Sequence, residues 1–265
     1  MNTTEDKLKA FQRLLDVMDE LRLKCPWDKK QTFESLRANT IEETYELCDA
    51  IMKKDMKDIR KELGDVLLHI VFYAKIASET NDFDIADVCN SLCDKLIFRH
   101  PHVFGEGAAK TAGEVEQTWE QIKRKEKDGN KSVLSGVPDA LPALIKSYRI
   151  QDKARNVGFD WEEREQVWDK VKEEFDELMV EVKNLDAEKM EEEFGDLMFS
   201  MVNAARLYKI NPENALEKCN QKFIRRFNYV EEQTLMKGKD LKDMSLEEMD
   251  RYWNEAKEKE REGKN

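Results

Sequence analysis

Glycine and proline are scarce in this chain: ten Gly and five Pro in 265 residues, with long stretches holding neither. That scarcity denies a many-stranded β-fold its turns, and no period-2 alternation of useful length is present. Basic charge is in deficit as well. A formal net charge of −12 excludes a general nucleic-acid binder, which needs a basic footprint. It leaves room for an anionic small substrate, provided a metal or a local basic cluster neutralises it. Long apolar runs are missing too. "VLLHIVFYAKIA" at 66–77 is too short and too interrupted to span a membrane and reads as a buried helix. The five cysteines (Cys25, Cys48, Cys89, Cys93 and Cys219) are odd in number and lack metal-ligand spacing, so they read as reduced core residues of a cytoplasmic protein. The opening "MNTTEDKLKAFQRLLDVMDELR" is a mixed-charge amphipathic stretch and not a signal peptide.

What the chain has is Glu, Lys, Leu and Ala, with 40% hydrophobic and 38% charged residues. That composition predicts an all-α protein. Helical periodicity covers 4–23 and stops at "CPWD", where Pro26 breaks it. Further helices are predicted over 32–53, 56–78 and 84–99. Thr111 opens another, with Glu114 at capping-box spacing. "KDGNKSVLSGVPDALP" at 127–142 holds three turn-forming clusters and is the expected linker between a first domain, 1–126, and a second, 143–265. In the second, helices are expected over 143–156, 163–183 and 187–208, from Pro212 to 236, and after Ser245, which has Glu248 three residues on.

The two halves repeat each other. Glu43, Glu46, Glu62 and Asp65 recur 131 residues later as Glu174, Glu177, Glu193 and Asp196, in the strings "EETYE…ELGD" and "EEFDE…EFGD". "DKLIFRH" is followed by its likeness "QKFIRRF", and "WEQIKRKE" by "WNEAKEKE". Acidic residues are common here, so one ExxE is most simply a solvated face. The same four-acid spacing twice, followed in order by matching Lys/Arg and Trp, is far more specific. On a helix, Glu174 and Glu177 share a face, as do Glu193 and Asp196. A break at "NLDA" (184–187) makes an antiparallel pair with the acids level, roughly 10–12 Å from the turn at 1.5 Å per residue. Four carboxylates are thus expected to converge in each repeat. Oxygen-only donors suit Mg²⁺, or Mn²⁺ in its place.

Lys170 and Lys189 each stand four residues before a repeat-two acid, on the same face, and suit phosphate oxygens as point charges. The first repeat has Asn39 and Asp58 instead, so the second is the expected working site. Lys222 and Arg226, four apart, are candidates for an anion clamp. Trp253 and Trp119 are candidates to stack on a base, against the plainer role of core anchor. Asn203 lies one face-step beyond Asp196 and is placed within reach of a ligand.

"CPWD", "EETYE…ELGD", "RHPHVF", "NVGFDW", "EEFDE…EFGD", "KFIRRF" and the final tryptophan together resemble the MazG family of nucleoside triphosphate pyrophosphohydrolases over nearly the whole chain. The resemblance implies an all-α fold of two tandem MazG-like repeats, a homodimer, Mg²⁺ dependence, and conversion of a nucleoside triphosphate to monophosphate and pyrophosphate. It makes Glu174, Glu177, Glu193 and Asp196 metal ligands, with Glu43, Glu46, Glu62 and Asp65 as the parallel set. It sets Lys170, Lys189, Lys222 and Arg226 on the phosphates and Trp253 on the base. In a metal-assisted hydrolysis Glu173 is the candidate proton acceptor, with Lys189 beside it in the catalytic set. A di-iron carboxylate bundle would want Glu-x-x-His, but His69, His100 and His102 follow Val66, Ile97 and Arg99. "GEGAAKT" at 105–111 lacks the spacing of a phosphate loop. The remaining alternative is a non-enzymatic, metal-dependent helical binding protein.

Overall fold

The computed structural model describes residues 1–105, 111, 122 and 132–263, and every regular element among them is helical. The chain divides into two compact units, Met1–Glu114 and Val115–Asn265. Glu114 and Trp119, the helix expected from Thr111, and the first five residues of the expected linker lie outside the described residues.

Unit 1 contains α1 (Thr4–Lys24), α2 (Phe33–Lys53), α3 (Met56–Glu79), α4 (Ile85–Arg99) and the short α5 (Pro101–Phe104). Thr3 and Asp6 exchange capping hydrogen bonds at the start of α1, satisfying donors the first turn would leave orphaned. The chain leaves α1 at Cys25 and makes a 3₁₀ turn at Asp28–Lys30. Arg22 ties this corner down, with hydrogen bonds to Glu79 at 2.6 and 2.8 Å and to the Gln31 carbonyl at 3.0 Å. Phe11, Leu14, Leu15 and Met18 fall on one face of α1. That face closes on Leu36 of α2 and on Leu68, Val71, Phe72 and Ile76 of α3, forming the core.

Unit 2 contains α6 (Ala143–Arg155), α7 (Val167–Asn184), α8 (Ala187–Leu207), α9 (Pro212–Met236) and α10 (Leu246–Glu262). The helix expected from residue 163 begins with a 3₁₀ turn, Arg164–Gln166, capped by Glu163, and becomes α-helical at Val167. Helix α6 packs against α8 and α9. Val230, Met244 and Tyr252, with Tyr229, Leu241, Met249 and Trp253 around them, make a core between α9 and α10.

Each unit is organised by an antiparallel helix hairpin, α2–α3 and α7–α8, and the two hairpins turn in the same way. Lys54 and Leu185, 131 apart, both adopt the left-handed conformation, at φ 58° and 57°. In each the next residue is an aspartate cap. Asp55 accepts from the N–H groups of Lys57 and Asp58, and Asp186 accepts from that of Lys189. No helix among the described residues is long and apolar enough to cross a membrane.

Phe72 is 2% exposed at the centre of the unit 1 core. Phe72→Ala should cost unit 1 about 3–5 kcal/mol, read as an earlier urea transition by circular dichroism. A loss below about 1 kcal/mol would mean that the site repacks and is not central.

Candidate functional site

In each hairpin the acids meet, but as trios and not as the expected foursomes. In unit 2 one oxygen from each of Glu174, Glu177 and Glu193 lies within 4.8 Å of the others; in unit 1 the trio is Glu43, Glu62 and Asp65. Asp196 and Glu46 stand outside these groups. Asp196 is exposed and lines a neighbouring cavity. Glu46 is likewise exposed and faces the Lys61 ammonium at 3.9 Å. Helical spacing puts two acids on a face, but each side chain's last torsions are set by what lies beside it.

Both trios show like-charge strain. Burial, and then the charges of Asp65, Glu46 and Glu62, push the Glu43 carboxyl above its ordinary value against the pull of Lys61. Burial, and then Glu177, Asp196, Glu174 and Glu192, push Glu193 up. Glu62 is 5% exposed and its Oε2 is buried without a hydrogen-bond partner. Oxygens sharing one octahedral shell at 2.0–2.1 Å stand about 3–4 Å apart, so small rotamer changes would bring either trio around one hard cation. The donor set, oxygen alone, fits such an ion.

The two units differ in the cation they already supply. Lys61 Nζ lies 2.7 Å from Glu62 Oε1 and 3.9 Å from both Glu46 and Asp65. Its counterpart 131 residues on is Glu192. Unit 1 therefore carries an ammonium inside its acidic cluster where unit 2 carries another acid. In unit 2 the contact comes from the side: Lys170 reaches Glu174 at 2.7 Å and Glu173 at 2.9 Å. Hydrogen bonds to those two carboxylates, Glu174 first, hold the Lys170 ammonium well above the ordinary lysine range.

Beside the unit 2 trio opens a cavity of about 650 Å³ whose lining includes Lys170, Glu174, Asp196 and Asn203. Phe159 and Trp161 of "NVGFDW" form part of its wall. Gly158, at φ +90°, makes the turn that brings them there, a conformation costly for any residue with a Cβ. Arg206, 7% exposed, pairs with Asp160 through both terminal nitrogens, one at 3.0 Å. It also donates to Asn203 Oδ1 at 3.1 and 2.8 Å. In unit 1 the positions of Ser200, Asn203 and Ala204 are held by His69, Phe72 and Tyr73. There Phe72 is core, the Thr40 hydroxyl meets His69 Nδ1 at 3.0 Å and the Tyr73 hydroxyl at 2.6 Å, and Tyr73 stacks on Phe33. Larger side chains fill the volume that unit 2 leaves open.

The other expected site residues fall in two places. Lys189 is exposed in the first turn of α8, and Glu173 is exposed on α7. Lys222, Arg226 and Trp253 belong to α9 and α10, and none lines the cavity. Arg226 donates to Glu260 at 2.9 and 2.7 Å and lies 5.6 Å over the Trp253 ring. Trp253 also meets Phe223, with centroids 5.1 Å apart, and joins the α9–α10 core. Sequence reasoning missed Lys61, Gln151, Asp160, Ser200 and Arg206. Lys61 left a local signal, four residues before Asp65, and Asp160 lay within the quoted string "NVGFDW".

Fold and site together define an all-α protein whose paired helices gather carboxylates that could hold a metal ion, one pair beside a ligand-sized cavity. The model of the MazG nucleotide pyrophosphohydrolase domain matches residues 31–104 and 162–231, and the chain belongs to the MazG family. It is 45% identical over 260 residues, 96% of this chain and 99% of the other, to an Escherichia coli (strain K12) protein named nucleoside triphosphate pyrophosphohydrolase. It is 46% identical over 250 residues, 93% and 95% of the two chains, to a Thermotoga maritima protein named nucleoside triphosphate pyrophosphohydrolase/pyrophosphatase MazG. A solved structure, that of a mazG-related protein from Thermotoga maritima, matches 43% of this chain and 99% of its own at 28% identity, with a TM-score of 0.39.

Burial pushes the Asp160 carboxyl up, but hydrogen bonds from Arg206 and the Trp161 backbone, with the charges of Arg206 and Arg155, hold it below the usual carboxylate range. A depressed folded pKa contributes stability that is present above the unfolded value of about 3.9 and is lost as pH falls through the folded value. Arg206→Met should remove that part of the acid dependence. Urea titrations between about pH 2 and 5 would read it, and an unchanged slope would assign the dependence to other carboxylates.

Proposed function

We propose that this chain hydrolyses nucleoside triphosphates, ribo or deoxy, to the monophosphate and pyrophosphate with Mg²⁺, and that the second repeat does the work. The observation that carries the reading is the meeting in unit 2 of a carboxylate trio, the Lys170 ammonium and a cavity of nucleotide size. The names of the relatives that match almost end to end support the same reaction. Residues 127–142 act as the linker between the repeats.

Glu174, Glu177 and Glu193 would hold the ion, with Asp196 close by on the cavity wall; Mn²⁺ could replace Mg²⁺. When bound, the ion supplies positive charge against the triphosphate oxygens and acidity to a water. Glu173, exposed beside the trio, takes the proton from the water that opens the α–β anhydride. Lys170, paired with Glu174 as the structure stands, would meet phosphate oxygens as a point charge. Lys189 adds charge at the start of α8, where the helix dipole already favours an anion. Lys222 and Arg226 supply further positive charge to the phosphates, Arg226 by exchanging Glu260 for a phosphate oxygen. Asn203, fixed by Arg206, presents its amide N–H₂ to the ligand.

Pyrophosphate release from a panel of NTPs and dNTPs tests the reading. Glu174→Gln with Glu177→Gln should lose at least about 100-fold in kcat/KM while staying helical, because charge stabilisation of the reacting phosphates goes with the ion. Glu43→Gln with Glu46→Gln should stay within a few-fold of wild type. Loss in the first-repeat variant alone would move the working site to unit 1. No release from any nucleotide with Mg²⁺ or Mn²⁺ would leave a metal-dependent binding protein.

The reading extends to a cytoplasmic homodimer. All five cysteines are free thiols, in keeping with a reducing compartment, but none is in the core as expected: Cys25 is half-buried and the other four are exposed. Both hairpins leave the same stripe bare: Leu63, Leu67 and Ile70 on α3, and Phe194, Met198 and Met201 on α8, each between 36% and 56% exposed. An apolar face of that regularity calls for a partner. Light scattering should give twice the 31.2 kDa chain mass, and Phe194→Glu with Met198→Glu should halve it. A wild-type particle at the single-chain mass would rule the dimer out.

A further inference from the structure

The acids of the first repeat already have a cation among them, and it is a side chain. Lys61 Nζ lies 2.7 Å from Glu62 Oε1 and 3.9 Å from an oxygen of both Glu46 and Asp65. Its charge also opposes the upward push on the Glu43 carboxyl. All four acids that the repeat pairs as ligands therefore feel this one ammonium. Lys61 belongs to α3 and Glu46 to α2, so it faces acids from both helices of the hairpin, as an ion bound there would. Glu62 gives the pairing weight. It is 5% exposed, and a carboxylate so far out of water needs a positive partner. Lys61 meets one of its oxygens; the other is buried without a hydrogen bond.

Unit 2 is arranged the other way round. The position of Lys61 is held by Glu192, and Lys170 stands where unit 1 has Asn39. The ion pairs of Lys170 run to Glu174, one member of the trio, and to Glu173 outside it. The charges pressing on Glu193 are Glu177, Asp196, Glu174 and Glu192, all negative. The two hairpins thus present the same acids with opposite provision for their charge. An ammonium and a dication roughly 4 Å apart repel by an amount worth about 10- to 100-fold in affinity even at the dielectric of water. A lysine seated among the acids and a metal ion on those acids compete for one place.

We propose that Lys61 is the resident cation of the first acid trio, that it keeps Mg²⁺ out, and that removing its charge turns the trio into a dication site. The chain then takes up its ion in unit 2 alone. The inference rests on the reading of the unit 2 trio as a dication site, and it makes the difference between the repeats a matter of one side chain's charge.

Mn²⁺ uptake by the full chain, read from the loss of the free-ion signal in electron paramagnetic resonance, tests this without nucleotide or turnover. Wild type should bind a single ion. Glu174→Gln with Glu177→Gln, which disarms unit 2, should bind Mn²⁺ at least about 10-fold more weakly. Adding Lys61→Met to that double variant should recover a single ion, tightening uptake by about 10- to 100-fold. Lys61→Arg, which keeps the charge, should recover none. Adding Glu43→Gln with Asp65→Asn to the Lys61→Met variant should abolish the recovered ion and so place it in unit 1. Lys61 is exposed, so its replacement leaves the core alone, and circular dichroism checks that each variant stays helical. A chain disarmed in unit 2 that keeps Lys61 and still binds Mn²⁺ as tightly as wild type would overturn the proposal. So would a Lys61→Met variant that recovers no ion, or a Lys61→Arg variant that recovers as much as Lys61→Met. Wild type that takes up no Mn²⁺ at all would instead remove the dication reading of unit 2, and this inference with it.

Discussion

Three carboxylates held within 4.8 Å of one another repel, and each unit is built around containing that repulsion. Two antiparallel helices supply the framework. Their backbone hydrogen bonds are internal, and their buried faces are fixed by packing, so the acids cannot simply move apart. Glu62 and Glu174 are drawn almost wholly out of water, which raises the cost of their charge. Something positive has to face them. The rest of each unit can be read as a choice of what that is.

Unit 1 answers with its own side chain and unit 2 with a doorway. In the first, the Lys61 ammonium sits among Glu46, Glu62 and Asp65, and His69, Phe72 and Tyr73 occupy the ground next to it. In the second, Glu192 replaces the lysine, and Ser200, Asn203 and Ala204 replace the three rings. The compensating charge there comes partly from Lys170 at the side, and the interior stays open enough to take a guest. The same hairpin thus carries an ammonium among its acids in one copy and stands beside an open cavity in the other, the two separated by a handful of substitutions at matching positions.

Much of this could be read in the sequence because it is local. Helix after helix was legible from apolar periodicity and caps, and the duplicated acids from their spacing. The asymmetry between repeats was visible at Asn39 and Asp58 against Lys170 and Lys189. The trios came out one member short of four because spacing places a residue on a face without fixing where its carboxylate ends. Lys61 escaped notice for a related reason: its shortest contact is with its sequence neighbour Glu62, a pair that helical geometry does not ordinarily bring together. Gln151 could not be seen at all. Its partner is the Phe199 carbonyl, 48 residues away, a pairing that leaves no sequence pattern.

The left-handed turns at Lys54 and Leu185 carry a further implication, for insertions and deletions. Glu46 and Glu62 each stand eight residues from Lys54, and Glu177 and Glu193 each stand eight from Leu185. One residue gained or lost between a turn and its acids would swing them about 100° around the helix, off the shared face. The four spacer lengths cannot change by one while the acids keep that face.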